Sequence, residues 1–417
     1  VMQAQAILDM QLRRLAGLER RKIQDEYKEK VALIKKLERL LGNPKLMRET
    51  IKGELLAVKE QYADARRTQI VEKGETEVLT ATDLLPDEQV WVLVGEKGTL
   101  ARTTSPEMIR IPVKPLEQPA ALLEANTQDI LYLFSADGRA VSLPVYQLPQ
   151  AREMGKGTHW AELTGFTRRD YVASALVRPP ATQGYLFLTT ITGVVKRIRL
   201  EDLPGITGDP FVVMNVDEED ALGWARLTNG QDQVILATGA GQVIRFEESK
   251  VRPMGLPAGG VMGLKLAGEE DGVVAMDVVQ NNGYIWSITD NGLAKATEIG
   301  AYPVQGRYGQ GVVNVRLPQG ASEVVSAVIC QEKATIIVTT AIGSIKKVKL
   351  SKTRIGSRSI KPQMVISPGP RNRIMGVVQV AHRPTIDDSG DGETAVPQQL
   401  ALLDTTPKKK KRATRKK

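Results

Sequence analysis

The chain has 417 residues, 42% of them hydrophobic and 25% charged, which fits a globular protein of two or three domains. No signal peptide is visible, and no apolar run is long enough to cross a bilayer, which excludes a helical membrane span within these residues. The net charge of +9 excludes less than it suggests: residues 408–417 carry eight of those charges and the 407 residues before them sum to +1, so any basic surface on the body must come from how charges are arranged.

The lone cysteine, Cys330, has no internal disulfide partner, which fits a reducing compartment. The first residue is Val1, inside a helical pattern, and the chain is expected to be a fragment lacking an N-terminal part.

Residues 1–70 read as helical. Ile7, Leu8, Leu12 and Leu15 recur at helical spacing, and after Gly17 a second series runs Ile23, Tyr27, Val31, Ile34, Leu37 and Leu41. Gly42-Asn43-Pro44 combines a C-terminal stop, a cap and a first-turn proline. A further helix follows with Met47, Ile51, Leu55, Val58 and Tyr62. Each stripe is narrow and needs a partner, as in a helical hairpin or coiled coil. Residues 71–87 are acidic, contain Gly74 and Pro86, and read as a linker.

Residues 88–383 contain one hairpin six times over: Val90–Arg102, Ile130–Ser142, Tyr185–Ile198, Val234–Phe246, Tyr284–Ala296 and Ile336–Val348. Each turns at a glycine (Gly98, Gly138, Gly193, Gly241, Gly292, Gly343), with gaps of 40, 55, 48, 51 and 51 residues. The flanks are β-branched and aromatic. Further strands follow each hairpin, as at Val312–Leu317 and Val324–Cys330. Four strands per repeat are expected to form one blade, and six blades to close a ring.

Three or four residues after the turn glycine stand Arg102, Lys196 and Arg197, Arg245, Lys295, and Lys346 and Lys347; the second unit departs, with Arg139 directly after Gly138. Repetition around a ring is expected to line one rim with positive charge, able to bind and bend a duplex through its phosphates. The alternative is that these residues only guard strand edges against pairing.

Residues 384–407 are acidic and read as disordered. Lys408, Lys409, Lys410, Lys411 and Arg412 begin a basic tail, read as a flexible DNA-binding arm or as a solvated charge run. His159 and His382 are too isolated for a metal site or a nucleophile–base pair. The sequence has no P-loop, and the glycines at 155–157 and 259–260 precede strands, not helices.

Several stretches resemble the A subunits of bacterial DNA gyrase and topoisomerase IV, the type IIA DNA topoisomerases. They are Ala4–Glu19 (AQAILDMQLRRLAGLE), Tyr62–Thr68 (YADARRT), Val145–Pro149 (VYQLP), Val251–Gly255 (VRPMG) and Tyr302–Arg307 (YPVQGR), in the family's order and spread over residues 1 to about 380. The resemblance implies a multidomain chain. Residues 1–70 would form the α-helical exit-gate and coiled-coil segment of the breakage-reunion domain, and residues 88–383 an all-β six-bladed β-pinwheel that holds double-stranded DNA. It also implies a homodimer through the exit gate, an A2B2 heterotetramer with a B subunit, and a cytoplasmic, chromosome-associated location. In such an enzyme the B subunit uses ATP, while magnesium assists cleavage. The resemblance places the family's catalytic tyrosine upstream of the matching region, so no catalytic residue is assigned in this chain, and no cofactor is expected for it alone.

One departure bears on activity. Gyrase carries a basic, glycine-rich box of the type Gln-Arg-Arg-Gly-Gly-Lys-Gly in its first blade, whereas this chain reads Arg102-Thr-Thr-Ser-Pro106 there. The nearest equivalent is Gln305–Gly311, with Arg307 as its one charge. The departure puts gyrase-type supercoiling in question and favours a relaxing or decatenating, topoisomerase IV-like role. A WD-type interaction propeller is the more distant alternative, against which the repeats lack Trp-Asp signatures.

Overall fold

The computed structural model describes residues 2–63 and 86–383, apart from residues 105, 107–110, 114, 116, 152–155, 181, 280–282 and 319; over residues 6–19 it describes the backbone. Most of the expected acidic linker and all of the basic tail, including Lys408–Arg412, lie outside the described residues. The chain divides into two units, residues 1–78 and 79–417.

The first unit is helical. Helix α1 spans Met2–Leu41 and α2 spans Pro44–Tyr62. Helix α1 runs unbroken through Gly17, where the sequence pattern suggested a division. A single glycine costs a helix only about 1 kcal/mol, and no cap or proline follows it there. The break comes at Gly42, whose N–H donates to the oxygen of Glu38 at 2.8 Å. Asn43 then leaves helical geometry at φ −127°, and its side-chain oxygen accepts from the N–H groups of Lys45 (3.1 Å) and Leu46 (3.2 Å). None of the α2 side chains is buried within the chain. Ile51, Leu55, Val58 and Tyr62 are exposed, as are Ile23, Tyr27, Ile34, Leu37 and Leu41 of α1.

The second unit is a ring of six blades, each built on an antiparallel hairpin. The first blade is built on Gln89–Gly95 and Thr99–Arg102, the second on Ile130–Ser135 and Arg139–Pro144, and the third on Tyr185–Thr190 and Val194–Arg199. The fourth uses Gln233–Thr238 and Gln242–Glu247, the fifth Tyr284–Thr289 and Leu293–Glu298, the sixth Thr335–Thr340 and Ile345–Lys349. On the inner side of each hairpin lies the repeat's last strand: Pro119–Asn126, Val172–Arg178, Leu222–Thr228, Val273–Val278, Val324–Cys330 or Ile374–Val377. These inner strands pack against one another in blade order. Each pairing shifts register near its end, at Gly95, Ser135, Thr190, Thr238, Thr289 and Thr340, a bulge repeated six times.

The blades are not the repeats. After its hairpin, each repeat sends a short strand back to the outer edge of the preceding blade. Thr158–His159 pairs with the first hairpin, Phe211–Val212 with the second and Val261–Met262 with the third. Val304–Gln305 and Val312–Val313 both pair with the fourth, and Gln363–Met364 with the fifth. The expectation of four strands from one repeat per blade is corrected by this exchange. The sixth sheet has three strands among the described residues, with one hydrogen bond from the N–H of Ile345 to the oxygen of Val113 at its outer edge.

Stacking blades face to face buries both faces of each sheet, so hairpin strands read as continuous apolar runs. Phe187, Val234, Leu236, Phe246 and Leu264 fill the space between the third and fourth blades. Trp286, Ile288, Ile336, Val338 and Leu350 do the same between the fifth and sixth. The ring closes where Gln379–Ala381 adds in parallel to Pro119–Asn126, with Val380 opposite Leu122. Arg383 locks the join with two bonds to the buried Asp129 carboxylate, at 2.7 and 2.8 Å.

Candidate nucleic-acid interface

The hairpin turn sets where every basic residue lies. The turn glycines take φ between +79° and +110°, a left-handed conformation that L side chains rarely adopt. The turn carbonyl then accepts from the crossing segment of the next repeat. Gly138 accepts from Val213 (2.9 Å) and Met214 (3.1 Å), Gly241 from Asn314 (2.9 Å) and Val315 (3.0 Å), and Gly292 from Val365 (3.1 Å) and Ile366 (3.3 Å). At Gly292 a Cβ would sit 1.9 Å from the oxygen of Ile366, so the position excludes a side chain on two counts.

In the third, fourth and fifth blades the basic residues after the turn are therefore covered or half-covered, so the structure does not present the expected basic rim in every blade. Lys196 is 0% exposed and donates to the oxygens of Val213 (2.6 Å), Leu256 (2.5 Å) and Ala258 (2.8 Å). Lys295 is 0% exposed and donates to the oxygens of Asn314 (2.6 Å) and Arg358 (2.5 Å). Burial lowers both ammonium groups to a pKa of about 8. Each lysine joins the strand its own repeat sends away to the segment the next repeat brings in.

Arg197 is also buried. Its guanidinium lies 4.4 Å from the Tyr185 ring centroid and 3.5 Å from the Glu248 carboxylate. Glu248, itself fully buried, accepts in addition from Thr228 Oγ1 (2.7 Å) and from the N–H groups of Gly230 (2.6 Å) and Asp232 (3.0 Å). Arg245 is half-buried, donating to Gln233 and to the oxygens of Ile299 (3.0 Å) and Tyr302 (3.2 Å). None of these four presents a free cation to solvent. Their positive charge holds crossing segments and loops, a use that their offset from the turn does not reveal.

The remaining residues differ in accessibility. Arg102 is half-buried and its backbone is bracketed by the incoming segment, its N–H donating to the oxygen of Pro149 and its own oxygen accepting from Ala151, both at 2.9 Å. Arg139 binds Asp137 and Asp170. Burial works against its charge, but the two carboxylates outweigh it and raise its pKa. Arg307 is exposed, with its guanidinium on the oxygens of Lys250 and Met262, both at 3.2 Å. Lys346 and Lys347 are exposed on the last hairpin strand, together with Lys349.

Lys346 occupies the same offset as Lys196 and Lys295, three residues after its turn glycine. Unlike them it is exposed, and no hydrogen bond from its ammonium to a crossing segment is seen among the described residues. A repeat-by-repeat count of charge would have marked this region. Residues 333–386 contain eleven Lys and Arg and no Asp or Glu. Lys333, Lys352, Arg354, Lys361, Arg371 and Arg373 are exposed like the strand lysines. The charges of the body nearly cancel overall, and the sum hides this concentration.

The arrangement has close likenesses. The family model of the DNA gyrase C-terminal domain, beta-propeller, matches residues 129–177, 232–280 and 284–331, which fall on the second, fourth and fifth repeats. The chain is 31% identical to the DNA gyrase A subunit of Salmonella typhimurium over 407 residues, covering 94% of this chain and 46% of the relative. It is 30% identical to the DNA gyrase A subunit of Mycobacterium tuberculosis, covering 94% of this chain and 48% of the relative. The chain belongs to the gyrase and topoisomerase IV A-subunit family. It spans just under half the length of those two relatives. The ring matches the C-terminal domain of a DNA topoisomerase IV with a TM-score of 0.61 at 26% identity, over 70% of this chain and 94% of that one. A DNA gyrase A C-terminal domain shares the fold at a TM-score of 0.58 and 20% identity, over 70% and 99%. The expected six-bladed β-pinwheel is thus the observed fold.

Proposed function

We propose that this chain is the DNA-binding and dimerising portion of a type IIA topoisomerase A subunit, in which the ring holds duplex DNA by its phosphates. The observation that carries the reading is the acid-free, exposed basic sixth repeat on a ring of this family's fold. Lysine and arginine side chains displayed without acidic neighbours release counterions when they meet a phosphate backbone, and they read no bases. The unburied apolar stripes of α1 and α2 support self-association of the helical unit. In the complete enzyme, double-strand passage would be driven by ATP on the B subunit in an A2B2 assembly, with magnesium assisting cleavage at the family's catalytic tyrosine.

Within the family, a relaxing or decatenating role is favoured over strong negative supercoiling. The carrying observation is the sequence Arg102-Thr-Thr-Ser-Pro106 where gyrase has its basic glycine-rich box.

The test of DNA binding is the affinity of the whole chain for a mixed-sequence duplex between about 50 and 200 mM salt, where several phosphate contacts cost orders of magnitude. A steep fall is expected; a flat response, or no binding at low salt, sinks the reading. For the second point, the complete protein is combined with ATP and its B subunit. Decatenation is expected to exceed supercoiling of relaxed plasmid, and strong negative supercoiling would overturn the assignment.

A further inference from the structure

The ring is electrically polar across its diameter, and this limits how DNA can lie on it. The third repeat is the counterpart of the sixth. Between residues 200 and 225 it carries Glu201, Asp202, Asp209, Asp217, Glu218, Glu219 and Asp220 with no Lys or Arg. All but Asp220 are exposed. Because of strand exchange, this acidic run spans from the third hairpin to the outer edge of the second blade, where Phe211–Val212 pairs with Ala140 and Arg139. The same exchange spreads the basic run from the sixth hairpin to the outer edge of the fifth blade, where Gln363–Met364 pairs with Ala294 and Leu293. In a closed ring of six blades the second lies across from the fifth, and the third across from the sixth. The basic arc therefore faces away from the acidic one.

We infer that duplex DNA engages the ring along one arc, the outer edges of the fifth and sixth blades, and does not follow the full circumference. This rests on the DNA-binding reading above and narrows it. Three observations carry it together. First, four of the basic residues that would have made a continuous rim, Lys196, Arg197, Arg245 and Lys295, are committed to buried or half-buried partners. Second, Lys346, Lys347 and Lys349 are exposed on the outer strand of the sixth hairpin, where a phosphate backbone can approach them. Third, a duplex continuing past the fifth blade toward the second and third would meet carboxylates at Glu201–Asp220, where like charge raises its energy. The geometry suits a single docking site on a passing duplex. It does not suit a spool.

The test compares the whole wild-type chain with Lys346→Gln/Lys347→Gln/Lys349→Gln and with Arg199→Gln/Arg252→Gln, two exposed arginines of the opposite side. The triple variant is expected to lose at least tenfold in duplex affinity at low salt and to flatten the log K against log salt slope by about 2 to 3. The arginine pair is expected to change neither. An unchanged slope in the triple variant, with a steep wild-type slope, overturns the arc while leaving DNA binding intact; a flat wild-type slope removes the underlying reading instead. Should the triple variant unfold, lysine acetylation of the wild-type chain with and without duplex gives the same answer. Protection is expected at Lys346, Lys347, Lys349 and Lys352 and not at Lys250 or Lys265, and equal protection of both sets overturns the arc. Ligation of nicked circles at saturating protein completes the test. The expected linking-number change per bound chain is close to zero, and a change approaching one turn would mean DNA follows the circumference.

Discussion

Lys295 donates from its ammonium to the main-chain oxygen of Asn314, 2.6 Å away, and so ties the fifth hairpin to the segment the same repeat sends out to the fourth blade. Its second bond, to Arg358, holds the segment arriving from the sixth repeat. Lys196 does the same for the third blade through Val213, Leu256 and Ala258. A buried cation is here the fastener of strand exchange, since a fully hydrogen-bonded ammonium is among the few side chains able to satisfy several converging carbonyls at once.

Lys295→Ala and Lys196→Ala are each expected to destabilise the ring by about 1–3 kcal/mol, the cost of leaving buried acceptors unpaired. The measurement is urea unfolding. Neither substitution is expected to alter the salt slope of duplex binding by the folded chain, because neither ammonium is exposed. A reduced slope without destabilisation would place these lysines at the DNA after all.

Stability should also depend on pH through the same two groups. Burial lowers both from 10.5 to about 8, with the nearby Arg358 adding to the effect at Lys295. Between those values the unfolded chain holds protons that the folded ring has released, so unfolding free energy rises as pH climbs from about 8 toward 10.5. Below about 8 both lysines are charged in either state and the contribution is constant and unfavourable. Denaturant midpoints measured across this range should increase, and the increase should shrink in Lys295→Met.

The ring's closure can be loosened at one residue. Asp129 is fully buried, and its carboxylate accepts from Arg383 and from the N–H of Asn126 at 2.7 Å. Arg383→Ala leaves that charge with the backbone donor but without its guanidinium, at an expected cost of about 2–3 kcal/mol, somewhat below the range for a wholly buried pair because Arg383 is 26% exposed. Hydrogen exchange should accelerate first in Gln379–Ala381, the strand that Arg383 anchors on Pro119–Asn126. Uniform acceleration around the ring would show that closure is not local.

Much of this fold is legible in the sequence, because the repeat acts through local chemistry. The turn glycines and the β-branched flanks place all six hairpins, and Gly42-Asn43-Pro44 marks the break between the two helices. What periodicity does not show is where strands go after the turn. Phe211–Val212 and Val304–Gln305 are too short to carry a pattern, and their partners lie in another repeat. That omission hid the role of Lys196 and Lys295. Matching offsets suggested a shared surface, but the crossing strands turn the same offset into a shared interior. Lys346 stands apart at the same offset, exposed on its strand. The basic sixth repeat was readable all along, in the distribution of charge and not in its sum.

The same asymmetry between covered and open blades separates two glycines with one conformation. Gly292 and Gly343 have φ of +87° and +79°. A Cβ at Gly292 meets the oxygen of Ile366 at 1.9 Å, whereas at Gly343 its nearest contact is the Gln118 side chain at 4.0 Å. Gly343→Ala should therefore cost only the left-handed backbone penalty, about 1–2 kcal/mol. Gly292→Ala must also push away the segment that donates to the Gly292 carbonyl from Val365 and Ile366, and should cost more, about 3 kcal/mol or above. Thermal unfolding of the two variants side by side measures the difference. Equal losses would mean that the fifth blade yields its outer strand without cost, and that strand exchange contributes little to holding the ring together.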